Sequence, residues 1–211
     1  IVSRPLCHEG LVIVGSEDHA IYAVDAPSGR RGWSFRAAMP VRSSACAYGD
    51  AILIGSDDGY CYCLDTRQGH LLWRQRAWGP VRSSPIVVND RVIVGSDDGT
   101  VYAFTVVDGH PRWRARLGGP VLSSPAAIDD LIVIGCADGA IYALDAETGD
   151  RRWTYQTDGP VIASPRDHGQ TIVVGPTVGK LYALSPADGS IVWDRQIANQ
   201  ITGREATLRP M

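Results

Sequence analysis

A repeat of 40 residues, present five times without a shift in register, constrains the fold of this chain more than any other feature. Four residue series keep this period in one phase. The tryptophans are Trp33, Trp73, Trp113, Trp153 and Trp193, and the tyrosines are Tyr22, Tyr62, Tyr102, Tyr142 and Tyr182. Two glycine series start at Gly15 and Gly29. A fixed period between about 20 and 50 residues predicts a modular architecture of small repeated units.

Each repeat is predicted to form four short β-strands. In the third repeat, three apolar, β-branched runs at 81–88, 91–96 and 100–105 are separated by turn residues. A fourth run at 111–116 alternates apolar residues with arginine, which is typical of a strand with one solvent-exposed face. The Asp-Gly pair in the turn at 97–99 favours the positive φ angles of a type I′ hairpin turn. Four antiparallel strands in about 40 residues are typical of a propeller blade.

We therefore predict an all-β fold, a β-propeller of five four-stranded antiparallel blades of 40 residues each. It forms a single domain over residues 1–200, with repeats at 1–40, 41–80, 81–120, 121–160 and 161–200. Residues 201–211 are a degenerate tail or the start of a sixth repeat, because Ile201 aligns with Val161 but the pattern is lost from Glu205. Three arrangements stay open: five blades close a ring alone, the chain is part of a larger ring, or ring closure is shared in a homo-oligomer.

The tryptophan series is predicted to join neighbouring blades. A large ring at the start of the fourth strand can reach the adjacent blade, where its indole N–H can find a carbonyl acceptor. The glycine series that starts at Gly29 precedes that strand and is expected to take positive φ in the turn. These residues recur in all repeats, so we assign them to the scaffold and look for function where the repeats differ.

Composition excludes several classes of partner. The net charge of -3 gives no broad attraction to nucleic acid or to anionic lipid. No apolar run approaches the roughly 18 residues of a membrane span, so direct membrane insertion is not expected. The cysteines Cys7, Cys46, Cys61, Cys63 and Cys136 have no zinc-site spacing and are interpreted as small buried side chains, with a disulfide as the alternative.

One run of the fourth repeat resembles a known family. The sequence from Ala143 to Trp153, ALDAETGDRRW, is similar to the tryptophan-docking motif of pyrroloquinoline-quinone (PQQ)-like propeller repeats, and weaker copies start at Ala23 and Ala183. The match covers residues 1–200. Members of that family include quinoprotein dehydrogenases, the periplasmic lipoprotein of the outer-membrane β-barrel assembly machine, and sensor domains of bacterial serine/threonine kinases. The resemblance favours an extracytoplasmic location but does not choose among these functions.

Sequence patterns for catalysis are weak. The resemblance implies that a quinoprotein enzyme would need a catalytic aspartate, a Ca²⁺ site and a pair of adjacent cysteines, and no two cysteines are adjacent here. The histidines lack metal-site spacing, and no serine lies in a Gly-x-Ser-x-Gly motif. We therefore expect no catalytic residues, no bound metal, and neither PQQ nor Ca²⁺ as a cofactor.

One face of the disc is the remaining candidate for function. In a propeller, the loop that enters the first strand and the turn between the second and third strands emerge on the same side. The candidate residues on that side are Arg42, Trp78, Arg82, Asp57, Asp58, Asp97 and Asp98. Arginines beside an exposed aromatic suit recognition of a peptide or an anionic group. In the alternative interpretation, the arginines simply neutralise the neighbouring aspartates.

These observations predict a non-catalytic β-propeller scaffold that binds a protein, a peptide or a small ligand. The family resemblance adds the roles of kinase-linked sensor or outer-membrane assembly domain. Two alternatives stay open: a PQQ-dependent dehydrogenase or a fragment of one, and an engineered or recently amplified repeat array without an evolved ligand.

Overall fold

The computed structural model describes residues 1 and 3–197, so the tail or sixth repeat predicted at 201–211 lies outside the described residues. All regular structure in the described part is β-strand. It therefore contains no helix that could serve as a membrane span.

Twenty strands form five separate antiparallel sheets of four strands, each in sequential order. The first blade contains β1 (Leu6–His8), β2 (Leu11–Gly15), β3 (Ala20–Asp25) and β4 (Arg31–Arg36). The second contains β5 (Cys46–Tyr48), β6 (Ala51–Gly55), β7 (Tyr60–Asp65) and β8 (Leu71–Arg76). The third contains β9 (Ile86–Val88), β10 (Arg91–Gly95), β11 (Thr100–Thr105) and β12 (Pro111–Arg116). The fourth contains β13 (Ala126–Ile128), β14 (Leu131–Gly135), β15 (Ala140–Asp145) and β16 (Arg151–Gln156). The fifth contains β17 (Arg166–Asp167), β18 (Ile172–Val174), β19 (Lys180–Leu184) and β20 (Ile191–Gln196). The predicted five four-stranded blades are confirmed.

Two local predictions were wrong. The type I′ turn falls at Asn89 and Asp90, whose φ angles are both positive at 46° and 59°, whereas only Gly99 is positive in the Asp-Gly turn. There the Gly99 N–H bonds back to the Ser96 carbonyl at 3.0 Å, which closes a different turn. The first strand of each blade is also shorter than predicted, because the Ser-Ser-Pro residues before it bond to the neighbouring blade.

The hydrophobic core lies between blades. Four clusters of buried residues each combine one face of a blade with the opposite face of the next. Between the third and fourth blades, for example, Ile93 and Val101 pack against Ile132 and Ile134, and all four are fully buried. The second and third strands of the inner blades are continuous apolar runs, because both of their faces are covered in this way.

The tryptophans join the blades as predicted at four of the five positions. Each indole Nε1 donates to a backbone carbonyl of the next blade: Trp33 to Thr66 at 2.8 Å, Trp73 to Val106 at 2.9 Å, Trp113 to Ala146 at 3.1 Å and Trp153 to Pro186 at 2.8 Å. Each ring also covers a glycine with positive φ, at Gly69, Gly109, Gly149 and Gly189. Glycine is required there, because an added Cβ would lie 2.3–2.8 Å from the indole. The Trp193 indole has no acceptor among the described residues, so its predicted docking role is not seen.

Serine hydroxyls link the blades near the axis. The backbone N–H of Ser44 donates to the Ser84 hydroxyl at 3.0 Å, and Ser84 and Ser124 repeat this bond to Ser124 and Ser164. Arg4 starts the series by donating to Ser44. A small side chain with an acceptor oxygen is needed at this position, which explains the recurring serine.

Candidate functional site

The candidate arginines and the acidic turns lie on one face of the propeller. The N–H of Asp57 bonds to the Pro40 carbonyl at 2.9 Å, and the N–H of Asp97 bonds to Pro80 in the same way. These bonds hold each turn between the second and third strands against the loop that enters a first strand. Arg42 and Arg82 follow those loops, so their side chains reach the turns.

An alternating row of charged side chains, here called the ion-pair ladder, crosses this face. It consists of Glu17, Arg42, Asp57, Arg82 and Asp97. Arg42 Nε lies 3.0 Å from Glu17, and its Nη1 bonds to Asp57. Arg82 Nε lies 3.0 Å from Asp57 and its Nη1 lies 2.8 Å from Asp97. The hydrogen bond to Asp57 raises the pKa of the Arg82 guanidinium. Both arginines are therefore paired inside the protein, as the alternative interpretation held.

The ladder stops at Asp97. Leu122 stands where Arg42 and Arg82 stand in the two preceding blades, so the next cation is missing. The Oδ1 atom of Asp97 is buried without a hydrogen-bond partner. Burial raises the pKa of Asp97, which the positive charge of Arg82 only partly offsets.

Asp58 and Asp98 brace the blades instead of facing outward. The Tyr62 hydroxyl donates to Asp58 at 2.7 Å, and the Ala38 N–H donates to the same carboxylate at 3.0 Å. Asp98 accepts from Tyr102 at 2.6 Å and from the Trp78 N–H at 2.9 Å. Because these oxygens already hold internal donors, their geometry assigns them to the scaffold.

Trp78 is the exposed aromatic side chain of this surface, with 71% of its area accessible. The Arg76 guanidinium lies 5.1 Å from the centroid of the indole, within cation–π range. A cleft of about 330 Å³ opens beside it. Its lining residues are Trp78, Asp98, Thr100, Tyr102, Arg114 and Arg116.

Sequence reasoning missed the positive charge around this tryptophan. Arg76 ends the outermost strand of the second blade, and Arg114 and Arg116 lie on the outermost strand of the third. All three are exposed, and none forms a salt bridge within the described residues. We call Trp78 with Arg76, Arg114 and Arg116 the Trp78 cluster. The alternating arginines of 111–116 indicated an exposed basic strand. The sequence did not show that the edges of the second and third blades lie close together at Trp78.

The axis of the protein offers a larger cavity, of about 900 Å³. Serine, proline and alanine residues line most of it, together with Arg4, Arg166 and Asp167. Among the described residues that line it, Asp167 is the only carboxylate, which does not fit the oxygen-rich ligand set that Ca²⁺ needs. No group of three or more His, Cys, Asp or Glu residues in the described part could hold a metal. The residues therefore do not fit a PQQ–Ca²⁺ site.

The prediction that the cysteines are buried side chains is wrong for Cys7, which is exposed and lines this cavity. All five are free, and Cys61, Cys63 and Cys136 are buried. Burial raises the pKa of Cys63 to about 12 and that of Cys136 to about 11. A thiol in such surroundings stays protonated and is a poor nucleophile.

Five radial sheets joined by tryptophans define a PQQ-like β-propeller, which confirms the resemblance. The propeller family described as "Beta-alanine-activating enzyme, beta-propeller" matches residues 2–209, and the chain belongs to this family. No curated protein sequence matches the chain significantly.

Solved structures with a similar fold have different functions. BamB from Moraxella catarrhalis superposes with a TM-score of 0.82 at 20% identity, over 93% of this chain and 64% of BamB. The computationally designed protein Ika8 gives 0.82 at 16% identity, over 92% and 61%. A quinohemoprotein alcohol dehydrogenase from Comamonas testosteroni gives 0.81 at 16% identity, over 94% and 43%. At these identities the likeness shows the fold alone, and the chain spans less than two thirds of each structure.

Proposed function

We propose that this chain is a non-catalytic propeller scaffold that binds an acidic protein or peptide segment through the Trp78 cluster. The observation that carries the proposal is the exposed Trp78 indole, at 71% accessibility, beside a cleft that two arginines line. Large exposed aromatic and arginine side chains are the residues that most often dominate the binding energy of interfaces.

The charge of the cluster favours an acidic partner. Arg76, Arg114 and Arg116 carry three positive charges without a salt-bridge partner among the described residues. The one carboxylate in the cleft, Asp98, is occupied by the Tyr102 hydroxyl and the Trp78 N–H. A carboxylate of the partner can therefore pair with a guanidinium without displacing an internal ion pair.

The ladder on the same face supports the scaffold role. Arg42 and Arg82 hold neighbouring blades together through Asp57, so this part of the surface is rigid and already neutralised. A rigid support reduces the entropy that the cluster loses on binding. The family description names an activating enzyme, and we assign to the propeller the recognition of a partner and not that activation reaction. An extracytoplasmic location stays a prediction.

Fluorescence anisotropy with two labelled peptides tests the proposal. One peptide alternates glutamate with tyrosine, and the other has lysine in place of glutamate. We expect the acidic peptide alone to bind. Trp78→Ala should weaken binding roughly tenfold, as loss of a central aromatic contact does at interfaces. Arg114→Ser combined with Arg116→Ser should weaken binding and reduce its dependence on salt.

Arg36→Ser is the matched control. Arg36 ends the outermost strand of the first blade, at the position that Arg76 and Arg116 occupy in the next two. It should leave affinity unchanged. Equal weakening by Arg36→Ser, or equal binding of both peptides, would contradict a specific site at Trp78.

A further inference from the structure

Pairs of arginines stand on the outermost strands of two neighbouring blades. Arg74 and Arg76 lie on β8 of the second blade, and Arg114 and Arg116 occupy the same positions on β12 of the third. All four side chains are exposed. The other blades have different pairs at these positions: Ser34 with Arg36, Thr154 with Gln156, and Asp194 with Gln196. The basic pairs are therefore a property of these two blades and not of the repeat.

The pair on β8 lies against an aromatic ring of its own blade. Arg74 Cζ is 4.7 Å from the centroid of the Tyr60 ring, within cation–π range. Tyr60 is paired with Arg76 in the register of β7 and β8, so it lies beside both arginines. The Tyr62 ring, with its centroid 5.9 Å away, packs next to it. We call Tyr60 with Arg74 the Tyr60 cluster.

The Tyr60 cluster is continuous with the Trp78 cluster through Arg76. Arg74 and Arg76 are two residues apart on one strand, so their side chains leave the same face of the sheet about 7 Å apart. The Arg76 guanidinium in turn lies 5.1 Å from the centroid of the Trp78 ring. The two arginines of the third blade line the cleft beside that ring. Four arginines and two aromatic rings therefore form one band across the edges of two blades.

The positive charges of this band are not neutralised inside the described part of the protein. None of its arginines forms a salt bridge there. Asp58, which precedes β7, is occupied by the Tyr62 hydroxyl and the Ala38 N–H. The band thus differs from Arg42 and Arg82 of the ion-pair ladder, which already hold carboxylates.

We propose that the acidic partner segment continues past the Trp78 cluster and places a second acidic group on Arg74. This inference rests on the proposed function and adds to it the length and the charge spacing of the segment. Ala38 stands where Trp78 stands one blade later, so the Trp78 cluster is the anchor and the Tyr60 cluster is the extension. Four peptide units join Arg74 to Trp78, a span of at most about 14 Å, which an extended partner chain covers in about four residues.

The charges around the band favour a protein segment over a nucleic acid. Asp58 accepts the Tyr60 N–H at 3.1 Å and Asp98 lines the cleft at Trp78, so a carboxylate lies at each cluster. A phosphate backbone carries a negative charge at every nucleotide and would also meet those carboxylates. A peptide can place glutamates on the arginines and neutral residues beside the aspartates. The net charge of -3 likewise disfavours a polyanion.

Fluorescence anisotropy with labelled peptides of two lengths tests the inference. The short peptide carries one Glu-Tyr-Glu block, and the long peptide carries two such blocks joined by four glycine and serine residues. We expect the long peptide to bind roughly tenfold more tightly, because its second block binds intramolecularly once the first is in place. A long peptide whose second block is Lys-Tyr-Lys should lose this gain.

Arg74→Ser isolates the Tyr60 cluster. Serine is the residue of the first blade at this position, Ser34, so the substitution is compatible with the strand. It should remove most of the gain of the long peptide and leave the affinity for the short peptide unchanged, whereas Trp78→Ala should weaken the binding of both. Arg36→Ser removes the same charge on the neighbouring blade and should alter neither affinity.

The outcomes separate this inference from the proposed function. Equal affinity of the two peptides, with Trp78→Ala weakening both, would overturn the inference and leave the proposed function intact. The inference would equally fail if Arg36→Ser reduced the gain of the long peptide as much as Arg74→Ser. No binding of either peptide would overturn both proposals. Tighter binding of a single-stranded oligothymidylate than of the long peptide would assign the band to a nucleic acid and overturn the inference.

Discussion

At the scale of single residues, Leu122 decides where the ion-pair ladder ends. Arg42 and Arg82 each use Nε to reach a carboxylate of the preceding blade, at Glu17 and Asp57. The same geometry one blade further would connect residue 122 with Asp97, whose Oδ1 atom is buried and unpaired. The leucine leaves that carboxylate with Arg82 as its only cationic partner in the described part of the chain.

Leu122→Arg should therefore stabilise the protein by about 1 kcal/mol at pH 7, because it supplies the missing cation to a partly buried carboxylate. The new charge lowers the raised pKa of Asp97. The gain should be lost in acid, as Asp97 becomes protonated. Urea unfolding at several pH values measures the effect. Leu122→Gln, which has no charge, is the control, and an equal gain with glutamine would contradict the pairing.

Sequence alone could predict the residues that repeat but not how side chains pair across blades. The tryptophan series that contains Trp73 and the glycine series that contains Gly69 keep the same role in successive blades. Their regular spacing therefore made them recognisable in the sequence. Asp57 and Asp58 are adjacent and chemically identical, yet one binds two arginines and the other binds Tyr62. That difference depends on which way each carboxylate points in the turn and on the distance to the next blade.

At the scale of elements, one carboxylate stabilises the turn between the third and fourth strands of the fourth blade. In the fourth blade, Asp145 accepts the backbone N–H groups of Glu147 and Thr148 at 2.9 and 2.8 Å, and Arg152 bonds to it at 2.6 Å. The bond from Arg152, followed by that from Thr148, lowers the pKa of Asp145 to about 2. Threonine and serine take this position in the third and fifth blades, so the carboxylate is not required by the fold.

Asp145→Asn should cost on the order of 1–2 kcal/mol at pH 7. Since the folded state depresses this pKa, its contribution is complete above the usual aspartate pKa of about 4 and disappears as the pH falls towards 2. The variant and the parent should therefore converge in stability across that interval. Asp130→Asn, which removes only the exposed pair with Arg152 at 3.4 Å, should change little. A constant difference from pH 7 to 2 would contradict this account.

Strand ends were the elements that the sequence located least well. The apolar run at 81–88 contains one short strand, β9, because Ser83 and Ser84 belong to the connection between blades. The Ser84 N–H bonds to the hydroxyl of Ser124, 40 residues away, and a local sequence pattern does not show such a contact. The sequence missed the Trp78 cluster for the same reason, because its arginines lie on the edges of two different blades.

At the scale of the whole molecule, stability should vary along the row of five blades, because none of the four core clusters in the described residues joins the fifth blade to the first. A repeat protein is stabilised by each unit and by its contacts with adjacent units, so an end unit lacks one contact. In the third blade Val92, Ile93 and Val94 are fully buried. In the first blade Val12 and Val14 are half-exposed, and in the fifth the first two strands shorten to two and three residues.

Amide hydrogen exchange measured by mass spectrometry should resolve this gradient. We expect the slowest exchange in β10 and β11 of the third blade and faster exchange in β2 and β3 and in β18 and β19, because the end blades open without unfolding the centre. Trp113→Phe should weaken the central contact and bring the exchange of the third and fourth blades closer to that of the ends. Uniform protection across all five blades would instead mean that they unfold as one closed, cooperative ring. The fifth and first blades would then have to pack against each other in solution, with Trp193 over Gly29, where nothing lies within 4 Å of an added Cβ in this structure.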